Sequence, residues 1–176
     1  MKEAGIVIIG ITHMTQMGMA VFGNNPSKLH GTCRNPVNPN YYPGASSSGT
    51  AAAICSGLVP FGLGTDGGGS IRMPSSQCGI VGLKPTFSRV PTHGFLRGGP
   101  KGTVSHAGPM ASNSVDLALL YSIIAGPDKY DPYSMVQSPV MLPSNMKDVK
   151  RIKIGVDWKW AKQADAAVYQ NFKVFI

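Results

Sequence analysis

Between Gly62 and Gly69 five of eight residues are glycine, and Ser70 follows directly on Gly67-Gly68-Gly69. Glycine gives up more backbone freedom on ordering than any other residue, so such a run serves turns and close backbone approaches rather than helix interiors. The same punctuation recurs throughout: 22 glycines and 14 prolines in 176 residues cut the chain into short elements joined by turns. A chain of this length suits one domain with a real core.

Short apolar runs bounded by glycine predict strands at Gly5–Gly10, around Ile-Val-Ile-Ile, at Leu58–Leu63 and at Ile80–Leu83. Residues 23–43 read as loop, with Pro26, Pro36, Pro39 and Pro43 at close intervals. Ser46-Ser47-Ser48 leading into an alanine-rich segment ending at Cys55 predicts a helix start. From Pro85 to Pro109 the chain reads as turn-rich. Ser112–Ala125 carries Val115, Leu119, Leu120 and Ile123 at helical spacing, with Ser112 as its expected cap and Gly126-Pro127 as its stop. A linker rich in Pro, Asp and Tyr follows. A strand is then expected at Arg151–Val156 and a helix at Ala161–Phe175. Strands alternating with helices indicate an α/β architecture.

The formal charge is +8, yet the basic residues are scattered singly. Only Lys147, Lys150, Arg151 and Lys153 cluster, with Asp148 among them, so a solvated basic surface is expected and no nucleic-acid partner. No run approaches the roughly 18 apolar residues that span a bilayer. The N-terminus lacks the form of a secretory signal. A cytoplasmic protein is the expectation. Cys33, Cys55 and Cys78 form no CxxC, which argues against a disulfide framework or zinc site and for buried structural thiols.

The glycine run admits three readings. Gly62-Leu-Gly64-Thr-Asp-Gly67 matches GxGxxG, but no acid lies between Asp66 and Asp116 to hold a ribose, and no P-loop lysine follows. Nucleotide binding is therefore the weakest of the three. A plain glycine turn capped by serine is the second. In the third, the N–H groups of Gly67, Gly68 and Gly69 form an oxyanion hole beside a nucleophilic Ser70.

A serine nucleophile needs a neighbour to take its proton. His13, His30, His93 and His106 are available, but Asp66 is the only acid between residues 4 and 115. Asp66 is expected to pair with Arg72, so a Ser-His-Asp triad is starved of its carboxylate. The histidines read as polar loop residues. No metal site or cofactor is expected. The remaining candidate group is Ser46-Ser47-Ser48.

Gly44-Ala-Ser-Ser-Ser-Gly49 is followed, 24 residues after Ser46, by Ser70 in Gly64-Thr-Asp-Gly-Gly-Gly-Ser-Ile-Arg72. Pro74-Ser75, Cys78-Gly79, Gly82-Leu-Lys-Pro-Thr86 and Gly108-Pro-Met-Ala-Ser112 follow in order. In these motifs the chain resembles the amidase signature family, and within it the fatty acid amide hydrolases of plant and lower-eukaryote type. The resemblance implies an α/β fold, a mixed β-sheet flanked by helices. Residues 1–176 would form a single domain incomplete at both ends, with uncovered apolar surface and strand edges.

The resemblance also implies hydrolysis of linear amides by a Ser–Ser–Lys triad. Ser70 would be the nucleophile, and Ser46 the relay serine that passes its proton to the leaving amine. Gly67, Gly68 and Gly69 would donate to the oxyanion. Asp66 and Arg72 would hold the loop in shape, and Ser47 would join the hydrogen-bond network. A cis peptide is implied before Ser46, although Ala45 stands where the family has glycine.

The family's lysine sits upstream in Gly-x-Pro-x-x-x-Lys-Asp, a motif these residues do not contain, and its Gly-Lys-Thr-Asn appears as Gly10-Ile-Thr-His13. Alone, the chain is expected to be inactive. The implied partner is a small-molecule amide, with fatty acid amides the class suggested by the plant-type branch. Peripheral membrane contact is allowed for the full-length protein, and the oligomeric state is left open. The other function carried forward is a non-catalytic binding module that holds an acyl amide without turnover.

Overall fold

Three strands and three helices gather around the glycine run. The computed structural model describes residues 1–19, 25, 31–95, 103–142 and 153–176. These fall into two compact units, Met1–Leu142 and Pro143–Ile176. In the first unit, β1 (Phe61–Asp66), β2 (Val81–Gly82) and β3 (His106–Ala111) form an antiparallel sheet in the order β1-β3-β2. Phe61 pairs with Ala111 and Asp66 with His106, while Val81 and Gly82 pair with Ala111 and Met110. Helices α1 (Ser48–Cys55), α2 (Arg72–Cys78) and α3 (Ser114–Ile124) pack on these strands. This is the expected α/β arrangement.

The core joins sheet to helices through Ala51, Ile54, Ile71, Cys78 and Met110, with Cys55, Val59 and Ile80 packed against it. Gly64 explains how the layers come so close. A Cβ there would lie 2.8 Å from Met110 Sδ and 2.9 Å from both Ile71 Cγ1 and Ser47 Oγ, so only glycine fits.

Several expectations need correction. The Gly5–Gly10 stretch forms no strand, and Val7, Ile8 and Ile9 are exposed. No neighbouring strand among the described residues offers it a ladder, and β propensity without a pairing partner does not hold a strand. The span read as turn-rich contains the central strand β3, despite Gly108-Pro109. In a strand the N–H and C=O of one residue point to the same side. Pro109 accepts from Leu83 N–H at 3.0 Å, so its missing N–H faces the side where two-residue β2 has just ended.

Helix α2 also escaped notice because of Pro74. That proline sits in the first turn, where its absent N–H costs nothing. The cap of α3 is Asn113 rather than Ser112: extended Asn113 accepts from Val115 N and Asp116 N at 3.0 and 2.9 Å. The linker after Gly126 is organised by two aspartates. Buried Asp131 accepts from Thr92 N at 2.6 Å and Tyr133 N at 3.0 Å, and Asp128 accepts from Tyr130 N at 2.9 Å.

In the second unit the expected single helix over 161–175 is two, α4 (Trp158–Ala161) and α5 (Ala166–Phe175). Asp157 caps α4 by accepting from Trp160 N at 2.9 Å, and Trp158 meets Phe172 edge-to-face at 6.2 Å. Of the strand expected at Arg151–Val156, residues 151–152 lie outside the described residues and 153–156 lie in no strand.

Candidate functional site

The two serine motifs meet where α1 and α2 begin. Residues 43–50 are all buried, so the serine loop is part of the interior. Gly44 has φ +84°, and a Cβ on it would lie 2.6 Å from Pro74 Cα; the loop therefore runs directly against α2. The Ala45–Ser46 peptide is cis. Ser48 Oγ donates to Gly44 O at 2.6 Å and closes the loop into the first turn of α1.

Ser47 is the fastener. Its N–H donates to Ser70 O at 3.2 Å, and its Oγ donates to Thr65 O at 3.3 Å while accepting from Thr65 N at 3.1 Å. One residue thus ties the Ser46 loop both to β1 and to the backbone of Ser70. Residues distant in sequence are brought together by these three bonds.

The segment before the loop lies over it. Gly49 N–H donates to His13 O at 2.8 Å, Thr15 N–H reaches Ser46 O at 3.4 Å, and the Thr12 and Thr50 hydroxyls bond at 2.7 Å. A Cβ on Gly18 would stand 3.5 Å from Ser46 Oγ, so this segment covers the relay candidate. Sequence reasoning missed that role. The match of Gly10-Ile-Thr-His13 to the family's Gly-Lys-Thr-Asn stretch was its signal.

Asp66 organises the other half. Its carboxylate is 1% exposed at the end of β1. It accepts from Gly69 N at 2.8 Å, Ile71 N at 3.1 Å and Arg72 N at 3.3 Å. Arg72 adds two donors at 3.0 Å each, Nε and Nη2. The Asp66–Arg72 pairing inferred from sequence is therefore present. Ile71, at the cap position of α2, has no polar side chain to accept from the helix, and Asp66 supplies the cap from a neighbouring element. Burial alone would raise its pKa. The Arg72 side-chain hydrogen bond and the N–H groups of Ile71, Gly69 and Arg72 outweigh it and hold the carboxyl at about 2. Such a carboxylate stays ionised at neutral pH and is a poor proton acceptor.

The glycines divide in two. Of the three read as oxyanion donors, Gly69 (φ +128°) spends its N–H on Asp66. Gly67 and Gly68 are exposed, and no acceptor among the described residues takes their N–H groups or that of Ser70. Val104 and Ser105, just before β3, border Gly67.

The described histidines bond elsewhere: His13 Nε2 at 3.1 Å from Gly31 O, His93 Nδ1 at 3.1 Å from Tyr130 O, His106 Nδ1 at 2.7 Å from Val104 O. His30 lies outside the described residues. Among the described residues no three His, Cys, Asp or Glu side chains converge as a metal site would require, and no helix is long and apolar enough to cross a membrane. Of the thiols read as buried, Cys78 is buried, while Cys33 and Cys55 are half-buried.

A family model described as Amidase matches residues 1–176. The chain is 42% identical over 165 residues to a fatty acid amide hydrolase of Oryza sativa subsp. japonica, covering 91% of this chain and 26% of that protein. It is 40% identical over 157 residues to a glutamyl-tRNA(Gln) amidotransferase subunit of Nitrosococcus oceani, covering 89% and 32%. The solved glutamyl-tRNA(Gln) amidotransferase subunit from Thermotoga maritima superposes with a TM-score of 0.73 at 34% identity, over 81% of this chain and 28% of that one. The chain spans about a quarter to a third of the length of the curated relatives it matches.

Proposed function

The chain belongs to the amidase family, and from that premise we propose that it carries the two-serine half of an amide hydrolase site. Ser70 is the nucleophile that attacks the amide carbonyl and forms an acyl-enzyme. Ser46 receives the Ser70 proton and delivers it to the leaving amine, so the amine departs neutral. Gly67 and Gly68, together with Ser70's own N–H, receive the oxyanion, and Gly69 turns the loop while anchored to Asp66. The observation that carries this reading is Ser47, whose bonds to Ser70 O and to Thr65 hold the Ser46 loop against the nucleophile's backbone.

To take the Ser70 proton, the Ser46 hydroxyl must pass its own proton to a base, which returns it as the amine leaves. Asp66 is too weak a base, and no described histidine bonds to either serine. The third group in this proposal is the family's lysine, whose Gly-x-Pro-x-x-x-Lys-Asp context does not occur in these 176 residues. Without it the two serines remain a weak nucleophile, slower by about three to six orders of magnitude. The substrate proposed is a linear amide, with fatty acid amides as the class, since a fatty acid amide hydrolase stands among the relatives.

The test is hydrolysis of a fatty acid primary amide and covalent labelling by a fluorophosphonate, with and without added polypeptide bearing the lysine motif. Slow labelling that accelerates on complementation and vanishes in Ser70→Ala is the expected result. Full turnover by the 176-residue chain alone, abolished by Ser70→Ala, would refute the need for a further base. Amide affinity with no labelling under any condition would favour the non-catalytic binding module.

A further inference from the structure

One cleft lies outside the serine machinery and opens beside it. Its empty volume, open side included, is about 260 Å³, and buried Val90, Ala107 and Asp131 line it together with exposed Ser105 and Tyr133. Ser105 also borders the glycine run, since its Oγ would stand 3.7 Å from a Cβ on Gly67. Ser88, a further lining residue, donates from Oγ to Tyr133 O, so the wall of the cleft is fastened to the turn after α3.

Asp131 is the charged group there, and the proposed hydrolysis does not use it. It is 6% exposed, and its hydrogen bonds come from uncharged donors: Thr92 N at 2.6 Å and Thr92 Oγ1 at 3.2 Å on Oδ2, and Tyr133 N at 3.0 Å on Oδ1. A carboxylate offers about four lone-pair sites, so Oδ1 keeps one. Burial would raise its pKa; the bonds from Thr92 and Tyr133, with the charge of His93 after them, outweigh burial and keep the group ionised at neutral pH. Among the described residues no Lys or Arg pairs with it. His106 brings a further acceptor to the lining. Its Nδ1 lies 2.7 Å from Val104 O, which can only accept, so Nδ1 carries the hydrogen and Nε2 of the neutral ring keeps a lone pair. A buried negative charge with acceptors to spare and no permanent cation beside it suits a ligand that brings positive charge and several N–H donors.

We propose that this cleft is a binding site for a primary ammonium group. The ammonium donates to Asp131 Oδ1, and the Thr92 and Tyr133 N–H groups hold the carboxylate in place for it. The space admits the charged head and a short stem but not an acyl chain. That the ligand is the amine half of the substrate rests on the amide-hydrolase reading above. On that reading the amine leaves the carbonyl carbon neutral, takes a proton from water, and is held as the cation on its way out past Ser105.

The experiment titrates the isotope-labelled 176-residue chain with ethylammonium chloride at a pH of about 8, where an ordinary imidazole is neutral, and follows the backbone amide signals by NMR. Saturable shifts at Thr92 and Tyr133 are expected, with a dissociation constant of about 1 mM or weaker for so small a ligand. Tetramethylammonium and sodium at the same ionic strength should not reproduce them, because neither carries an N–H donor. Asp131→Asn, which keeps one side-chain acceptor, should weaken binding by about tenfold or more. If that variant fails to fold, Ser105→Phe, at an exposed position, should block the cleft to a similar degree. No saturation, equal shifts from tetramethylammonium or sodium, or full binding in a folded variant would each overturn the proposal. Failure here leaves Ser70 labelling untouched, whereas saturable binding without Ser70 labelling under any condition would uphold the ammonium site and sink the hydrolase reading instead.

Discussion

Gly5-Ile-Val-Ile-Ile-Gly10 and Phe61-Gly-Leu-Gly-Thr-Asp66 make an instructive pair. The first is rich in β-branched residues and forms no strand, with Val7 81% and Ile9 74% exposed. The second contains two glycines and an aspartate, all poor strand formers, and pairs along its whole length with β3. Local preference ranks them in the wrong order. Cross-strand pairing and burial decide, and β propensity measures fit to a pleated, half-buried surface rather than a property of the backbone alone. Glycine at position 64 is what lets Ser47, Ile71 and Met110 close over β1.

Perturbing each region should bring out the difference. The largest effect is expected at the end of β1. Asp66→Ala strips acceptors from three backbone N–H groups and from Arg72, and should cost about 3 kcal/mol in denaturant unfolding; a loss below about 1 kcal/mol would mean water replaces the carboxylate freely.

Acid titration comes next. The folded pKa of Asp66, about 2, lies below its ordinary 3.8. The stabilisation is therefore complete above pH 3.8 and disappears as pH falls through about 2, a change of about 2 kcal/mol. Asp131 is also lowered, because its bonds to Thr92 and Tyr133 outweigh its burial, and it adds a slope of the same sign. Asp66→Asn should remove the Asp66 share and leave the rest; an unchanged acid limb in that variant would contradict the assignment.

The smallest effect is expected in the exposed stretch. Ile9→Ser should change unfolding free energy by less than about 0.5 kcal/mol, since no packed neighbour is lost. A cost above about 1 kcal/mol would show that Gly5–Gly10 is paired in solution and would close the gap between the two regions.

The site was more legible than the sheet. Its residues were read through the family resemblance that Ser46, Ser70, the glycine triplet and an aspartate six residues before an arginine carry together; taken alone, the glycine run left a plain turn open. Helices α1 and α3 were legible through composition and periodicity, since a helix satisfies its backbone within one segment. Strand β2 lies within the predicted Ile80–Leu83 run, whereas β3 depends on distant partners, and Gly108-Pro109 looks like a turn until the early end of β2 excuses the missing donor. Helix α2 was hidden by Pro74, and the break before α5 by the helical look of the residues around Asp165. The commitment of the Gly69 N–H could not be foreseen, because it depends on where a buried carboxylate points.

The Asp66–Arg72 clip has a consequence for the field around the glycines. A lone buried carboxylate three residues from Gly69 would oppose negative charge gathering on a nearby carbonyl oxygen. Arg72 cancels it at 3.0 Å, so the clip shapes the loop as a neutral object. Orientation is thus supplied without a standing electrostatic penalty. Gly67 and Gly68 are exposed beside the clip, and no acceptor among the described residues takes their N–H groups.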